Sequence, residues 1–399
     1  MSAHPFRTLF YNARLVGAVD TWSPGWLLVE GAQIRLLGAG EPPVWPQGWL
    51  DQAVDASGRW LLPGFIDLHV HGALGHELMD ADPDGLRAMA RHYAAHGVTG
   101  ILPSTWTASS EATLRAIETA RSVMEQPASP SFPAGARILG VHLEGPYFNP
   151  VRCGAQDANF IRRAEREEAL AWLDSGLVRL IALAPEYLEN HWLIEECVRR
   201  GVTVSIGHSS ASYAQVAEAV RLGTRQATHT FNAMAPLGHR ELGTVGGVMS
   251  FPELSCELIA DNVHVAPAAQ KILLAVKGVE RLILVSDSIR GAGLPDGDYL
   301  LDQRPITIRN GEARLLDGTL VGSPLTLDRA LRNLCTAAGR SPGELWPTAS
   351  LNAARNIGLS ARKGSLEVGK DADLVLLDEA LEVWMTMVEG EVVYRATGA

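Results

Sequence analysis

The first sixty residues place apolar side chains in short alternating runs cut by glycine and proline: "TLFYNARLV", "GWLLVEG", "QIRLLGAG" and, past the turn "EPPVWPQG", "QAVDASGRWLLPG". Alternation with period two between turn residues predicts antiparallel strands. The C-terminal stretch repeats the pattern in "GSLEVGKDADLVLLD" and "VWMTMVEGEVVY". Residues 1–59 and 359–399 are therefore expected to build one small β-sandwich domain from both chain ends.

Between them the pattern changes. Near-continuous apolar runs ("LLPGFIDLHVH", "VTGILPST", "RILGVHLEG", "VRLIALAPE", "VTVSIGHS", "QATHTFN", "CELIAD", "RLILVSD") alternate with stretches of helical period, several ending at glycine. Eight such strands separated by helices over residues 60–358 predict a (β/α)₈, TIM-like barrel, with an open doubly wound sheet as the competing arrangement. "PITIRNGEARLLDGTLVGS" breaks the rhythm and predicts a β-hairpin insertion near 304–322, with "NG" at its turn.

Composition narrows the function. With 399 residues, 47% apolar and 20% charged, the chain is long and apolar enough for a large folded core. A net charge of −11 with no basic face argues against nucleic acid as a partner. The cysteines Cys153, Cys197, Cys256 and Cys335 form no C-x-x-C, which points to reduced thiols rather than a thiolate zinc site or a disulfide framework. The N-terminus lacks a signal-peptide pattern and no apolar run is long enough for a membrane span, so a soluble cytoplasmic protein is expected.

Useful side chains fall where barrel enzymes keep their sites, at the C-terminal ends of the strands. His69 and His71 end the first, Glu144 the third, His208 the fifth, His229 the sixth and Asp287 the eighth. Residues i and i+2 of a strand share a face, so both imidazoles of "HVH" point one way. Each residue alone reads as a loop or cap residue. Six at one rim are costly to bury unless a cation organises them. His264 joins the rim group as a substrate contact, and His142 is either core or support for the site. His4, His92, His96 and His191 are given no chemical role, and His76 stays open.

"PGFIDLHVHG", "GVHLEGPYFNP", "SIGHS", "ATHTFNAM", "DNVHV", "LVSDS" with "GLPDG", and "KGSLEVGKDADLVLLD" resemble, in order and spacing, the amidohydrolase superfamily and within it the N-acetylglucosamine-6-phosphate deacetylases. The resemblance implies a divalent metal held by Glu144, His208 and His229. His69 and His71 match a pair that holds a second ion in some members, so one or two ions are expected, zinc first with iron, manganese or cobalt as alternatives. Asp287 matches the catalytic aspartate. Gly145, Asn232, the backbone of Ala233 and His264 match substrate contacts, and Arg240 matches a phosphate-binding arginine supplied by a neighbouring subunit, implying a homodimer. The chain departs from the pattern at Gln156, where histidine is common, at Asn262 in place of glycine, in "SLNAARNIG", which lacks Asn-Pro, and in "RELG", with leucine where proline is usual.

The residue types suit amide hydrolysis by themselves. Three nitrogen and oxygen ligands leave such a metal a position for water and acidify it, Asp287 can take the proton, and His264 or His142 can stabilise an oxyanion. Dihydropyrimidinase-like members need a lysine ending the fourth strand, and "LIALAPEYLEN" has none. An N-acetylgalactosamine-6-phosphate deacetylase and a non-catalytic metal-binding scaffold are the remaining alternatives.

Overall fold

The computed structural model describes residues 5–126, 134–301 and 304–397; His4 lies outside them. Eight parallel strands follow one another along the middle of the chain: β1 (Phe65–Val70), β2 (Val98–Pro103), β3 (Val141–Glu144), β4 (Val178–Leu183), β5 (Thr203–Ile206), β6 (Gln226–Ala227), β7 (Ser255–Leu258) and β8 (Leu282–Leu284). Strands β3 to β8 pair in sequence order in one parallel sheet, and β1 and β2 pair in another with Arg137–Ile138 on the outer edge. The two sheets meet at both ends. A parallel bridge joins Ser104, after β2, to His142 of β3, and another joins Val70 of β1 to Ser288, after β8.

Two strands differ from their sequence reading. The run expected as one third strand is split, because Arg137–Ile138 pairs with β2 whereas Val141–Glu144 pairs with β4. Gly140, at φ +144°, makes the step; a Cβ there would lie 2.4 Å from Arg179 Cγ and 2.7 Å from the Leu177 carbonyl. The sixth strand is only two residues long, because the chain turns from His229 onward.

Helices Pro83–Ala95, Ser110–Glu125, Arg166–Leu173, His191–Arg199, Tyr213–Leu222, Gly243–Ser250, Pro267–Lys277 and Leu327–Ala338 alternate with the strands. Local chemistry sets their ends: Ser212 and Gln215 close a capping box before Tyr213–Leu222, and Gly223, at φ +117°, ends that helix. Gly243–Ser250 is absent from the sequence reading because three glycines in "GTVGGVMS" depress helix propensity. Its glycines are packed close, and a Cβ on Gly247 would meet Val216 at 2.9 Å.

Strands from both ends of the chain share one eight-stranded sheet. Its order is Glu391–Arg395, Val383–Val388, Leu374–Leu377, Trp60–Pro63, Arg7–Val16, Thr21–Glu30, Gln33–Ala39. In place of two separate sheets, this single one forks at Arg7–Val16, whose first half pairs with Gln52–Asp55 and whose second half pairs with Trp60–Pro63. One apolar cluster gathers Phe10, Leu27, Leu61, Leu374 and Met385, and another gathers Leu9, Trp26 and Leu28 under Trp45 and Trp49. The chain leaves this sheet for β1 at Gly64, where any Cβ would collide with Thr99 at 2.2 Å.

The hairpin after β8 turns at Asn310 and Gly311 and gains a third strand that the sequence reading lacked: Gly297–Leu301 pairs antiparallel with Arg304–Arg309, which pairs with Glu312–Leu315. The strand is short and flanked by polar residues, so it carries little apolar signal. No helix among the described residues is long and apolar enough to cross a membrane.

Candidate metal centre and its cavity

On β1 the alternation sends Asp67, His69 and His71 one way while Ile66, Leu68 and Val70 join the apolar core. At the other strand ends the backbone leaves extended geometry. His208, His229, Ala233 and Asp287 have φ of +48°, +28°, +50° and +49°. Non-glycine residues enter this left-handed region rarely and at a cost of order 1–3 kcal/mol each, and they gather where function holds them. Gly145, at φ +87°, follows Glu144 so tightly that a Cβ would lie 2.2 Å from Thr107 Oγ1 and 2.9 Å from the Phe148 ring.

All six rim residues are buried, and they converge. His69 Nε2 lies 3.2 Å from His71 Nε2, and His208 Nε2 lies 3.1 Å from His229 Nε2. Glu144 stands between the pairs: Oε1 is 3.2 Å from His208, 3.1 Å from His229 and 3.5 Å from His69, and Oε2 is 3.3 Å from His71. Asp287 Oδ1 is 3.4 Å from His69 Nε2 and 3.3 Å from His71 Nε2. Two triads thus share one carboxylate, His69–His71–Glu144 and Glu144–His208–His229, each with its ligand atoms within 4.8 Å of one another. Ligands at about 2.0–2.1 Å from a four-coordinate ion stand roughly 3.3 Å apart, so these separations fit a divalent cation. The donors are imidazole and carboxylate, the set such ions take.

Supporting groups point the ring nitrogens. Glu257 Oε2 lies 3.1 Å from His69 Nδ1 and accepts from the His229 backbone N–H at 3.0 Å, and Gln226 donates to its other oxygen. His208 Nδ1 donates to the Arg152 carbonyl at 2.8 Å. Committing Nδ1 outward leaves Nε2 facing the centre, the usual way a ligand histidine is oriented. Phe148 stacks on His208 and Trp106 on His71. Gln156 bridges two groups, accepting from the Thr107 backbone N–H at 2.7 Å and donating to Glu144 Oε2.

The electrostatics follow from crowding. Burial opposes charge at His69, His71, Glu144, His229 and Asp287, but the partners prevail. Asp287 and Glu144 hold His69 well above its ordinary pKa, and the same carboxylates push His71 up to about 9. Burial would raise Glu144 and Asp287, yet the imidazoles, His69 foremost, keep both below the usual carboxylate range. Burial lifts Asp67 to about 7, against hydrogen bonds from Ser286 and His69. The carboxylates that raise His69 and His71 are the charge that a bound cation would neutralise in their place.

A cavity of about 290 Å³ opens onto the centre, lined by Glu144, His208, His229 and Asp287 together with Asn232, Ala233 and His264. Asp261 holds His264 by its Nδ1 at 2.7 Å and also accepts from the backbone N–H groups of Val263 and His264. Gly145 does not line the cavity; its contribution is the turn that follows Glu144. Arg240 is exposed and away from the cavity of its own chain. His142 lies beneath the centre, bonded to Ser104 and edge-on to His69, and burial holds it well below its ordinary pKa. His92 and His96 pack together on the first helix, apart from the centre. The sequence reading missed Trp106, Arg152, Glu257 and Asp261 around the site; a lone glutamate inside the apolar run "CELIAD" was the one legible signal.

The sequence matches the amidohydrolase family over residues 60–393. It is 37% identical over 336 residues to the N-acetylglucosamine-6-phosphate deacetylase of Bacillus subtilis (strain 168), covering 84% of each chain. It is 38% identical over 333 residues to the N-acetylgalactosamine-6-phosphate deacetylase of Escherichia coli O157:H7, covering 83% of this chain and 87% of the relative. Among solved structures, a mutant N-acetyl-D-glucosamine-6-phosphate deacetylase from Mycobacterium smegmatis in complex with N-acetyl-D-glucosamine-6-phosphate matches with a TM-score of 0.89 at 32% identity, over 97% of this chain and 99% of that one.

Proposed function

The chain belongs to the amidohydrolase family, and we propose that it removes the acetyl group from N-acetylglucosamine-6-phosphate, giving glucosamine-6-phosphate and acetate. It is a hydrolase of a linear amide bond. The observation that carries the reading is the meeting of Glu144, His208 and His229 with Asp287 in the wall of one cavity.

Glu144, His208 and His229 would hold one divalent ion, and His69 and His71 would hold a second with Glu144 shared, zinc being the first choice for either. When bound, the ion supplies the acidity that makes a water nucleophilic near neutral pH and a positive charge beside the amide oxygen. The remaining work belongs to the side chains. Asp287, in the cavity wall beside these ligands, takes a proton from the attacking water as the C–O bond forms. It then returns that proton to the sugar nitrogen as the C–N bond breaks. His264, fixed by Asp261, offers Nε2 toward the acyl oxygen, and Asn232 with the Ala233 backbone receives the phosphate.

The same reading takes the two bridged parallel sheets as one closed (β/α)₈ barrel spanning residues 60–358, with residues 1–59 and 359–399 as the smaller β domain. Arg240, exposed on its own chain, reaches the phosphate of the neighbouring site in a homodimer. All four cysteines are free, which suits a reducing cytoplasm.

The similarity to the Escherichia coli relative keeps the galactosamine epimer as the second reading. Purified protein assayed on both 6-phosphates, with bound metals measured alongside, decides between them. Faster turnover of the glucosamine compound is expected. Turnover of neither by metal-loaded protein refutes the deacetylase assignment.

A further inference from the structure

We infer that Trp106 sets the length of the acyl group the site accepts, a role that rests on the deacetylase reading and deepens it. Trp106 follows β2 in the loop "PSTWT". Its ring stacks on the His71 imidazole with centroids 3.8 Å apart and planes 15° from parallel, and it lines the cavity beside Glu144 and Asp287. It is 5% exposed. Behind it lies an apolar cluster that includes Ala155, Ile289, Leu301, Ile306 and Val321, drawn largely from the antiparallel insertion. In an interior packed to this density a neighbour cannot swing aside without opening a void. The indole N–H is buried with no acceptor among the described residues, and stacking and packing hold the ring.

Hydrolysis requires the acyl carbon beside Asp287, whose Oδ1 is 3.3 Å from His71 Nε2. Of that carbon's substituents, the nitrogen continues into the sugar and must run toward the open mouth. The alkyl group is left facing the closed end, where the indole covers His71. A methyl group fits short of such a wall, whereas propionyl and butyryl chains meet a flat aromatic backed by a packed cluster. No sequence signal marks this role, because an aromatic after a strand reads as core.

The test compares wild type, Trp106→Phe and Trp106→Ala on N-acetyl-, N-propionyl- and N-butyryl-glucosamine-6-phosphate. One methylene in an apolar pocket changes kcat/KM by about 10–200-fold, so the propionyl-to-acetyl ratio should rise by about that factor in Trp106→Ala and less in Trp106→Phe, with the butyryl-to-acetyl ratio rising at least as much. Any loss of metal through a loosened His71 lowers all three substrates together and leaves the ratio intact. In an Asp287→Asn background, which blocks turnover, calorimetry should find tighter binding of the N-butyryl compound on adding Trp106→Ala, with the N-acetyl compound unimproved. A ratio and relative affinities within about twofold of the parent overturn the assignment. Should Trp106→Ala not fold, Trp106→Leu carries the same comparison. If the wild type hydrolyses none of the three, the deacetylase reading fails, and the relative affinities alone then decide whether Trp106 limits acyl size.

Discussion

Asp287 is buried and His92 half-buried, and opposite surroundings give them opposite duties. Asp287 stands beside both ligand triads but belongs to neither, so Asp287→Asn should retain bound metal, measured by elemental analysis, while kcat falls roughly a hundred- to ten-thousand-fold. Near-normal turnover would remove Asp287 from proton transfer. Among the described residues His92 has no hydrogen-bond partner for its buried Nε2, and burial, followed by the charge of His96, lowers its pKa to about 4. The unfolded chain, with an ordinary histidine near 6.5, therefore binds a proton that the folded chain refuses between these values. Folding stability is lost as pH falls from about 6.5 toward 4, by at most about 1.4 kcal/mol per pH unit from this group. His92→Gln should flatten that acid limb in denaturant titrations at a series of pH values; an unchanged slope would place the sensitivity elsewhere. His69, His71, Glu144, His208, His229 and Asp287 were legible in the sequence because each interrupts an apolar run at its end. Trp106, Arg152 and Asp261 were not, since an aromatic, a loop arginine and a turn aspartate look the same whether they support a site or only a surface.

At the scale of elements, the strands announce themselves by apolar runs, but their last residues are set by backbone twists with no sequence period. His208, His229, Ala233 and Asp287 share positive φ, and that common device was invisible until the strands were seen to stop. Gly145 is the exception, since a glycine directly after Glu144 can be read as a forced turn. Gly145→Ala should cost about 2–4 kcal/mol, from a left-handed backbone plus overpacking against Thr107 and Phe148, and should reduce metal content by displacing Glu144. Thermal melting and metal analysis on one preparation check both. Full metal with wild-type Tm would show that the loop absorbs the methyl. The glycine-rich helix Gly243–Ser250 and the strand Gly297–Leu301 escaped sequence reading for the converse reason: their local propensity is weak and tertiary packing supplies what it lacks.

In the whole molecule, Lys363 ties the end of the parallel-strand region to the terminal sheet. Its ammonium, 5% exposed, lies 2.9 Å from Asp371, 2.8 Å from Asp373 and 3.1 Å from Glu389. Burial works against that charge, yet Asp373 and its companions raise the Lys363 pKa. Lys363→Met should destabilise the protein by about 3–5 kcal/mol, because it strands the buried Asp373 carboxylate, whereas Asp371 keeps Arg362 and Glu389 keeps Arg137. Equilibrium unfolding measures it, and a change below about 1 kcal/mol would mean that water or Arg137 compensates.

The sheet shared by the two chain ends also fixes an order of events. Trp60–Pro63, the strand that leads into β1, pairs with Leu374–Leu377, which the ribosome makes more than three hundred residues later. Until then one edge of the early strands stays open, a sticky margin on a nascent chain. The last strands therefore act as a latch, and a chain that stops short of them would leave that margin exposed to its neighbours.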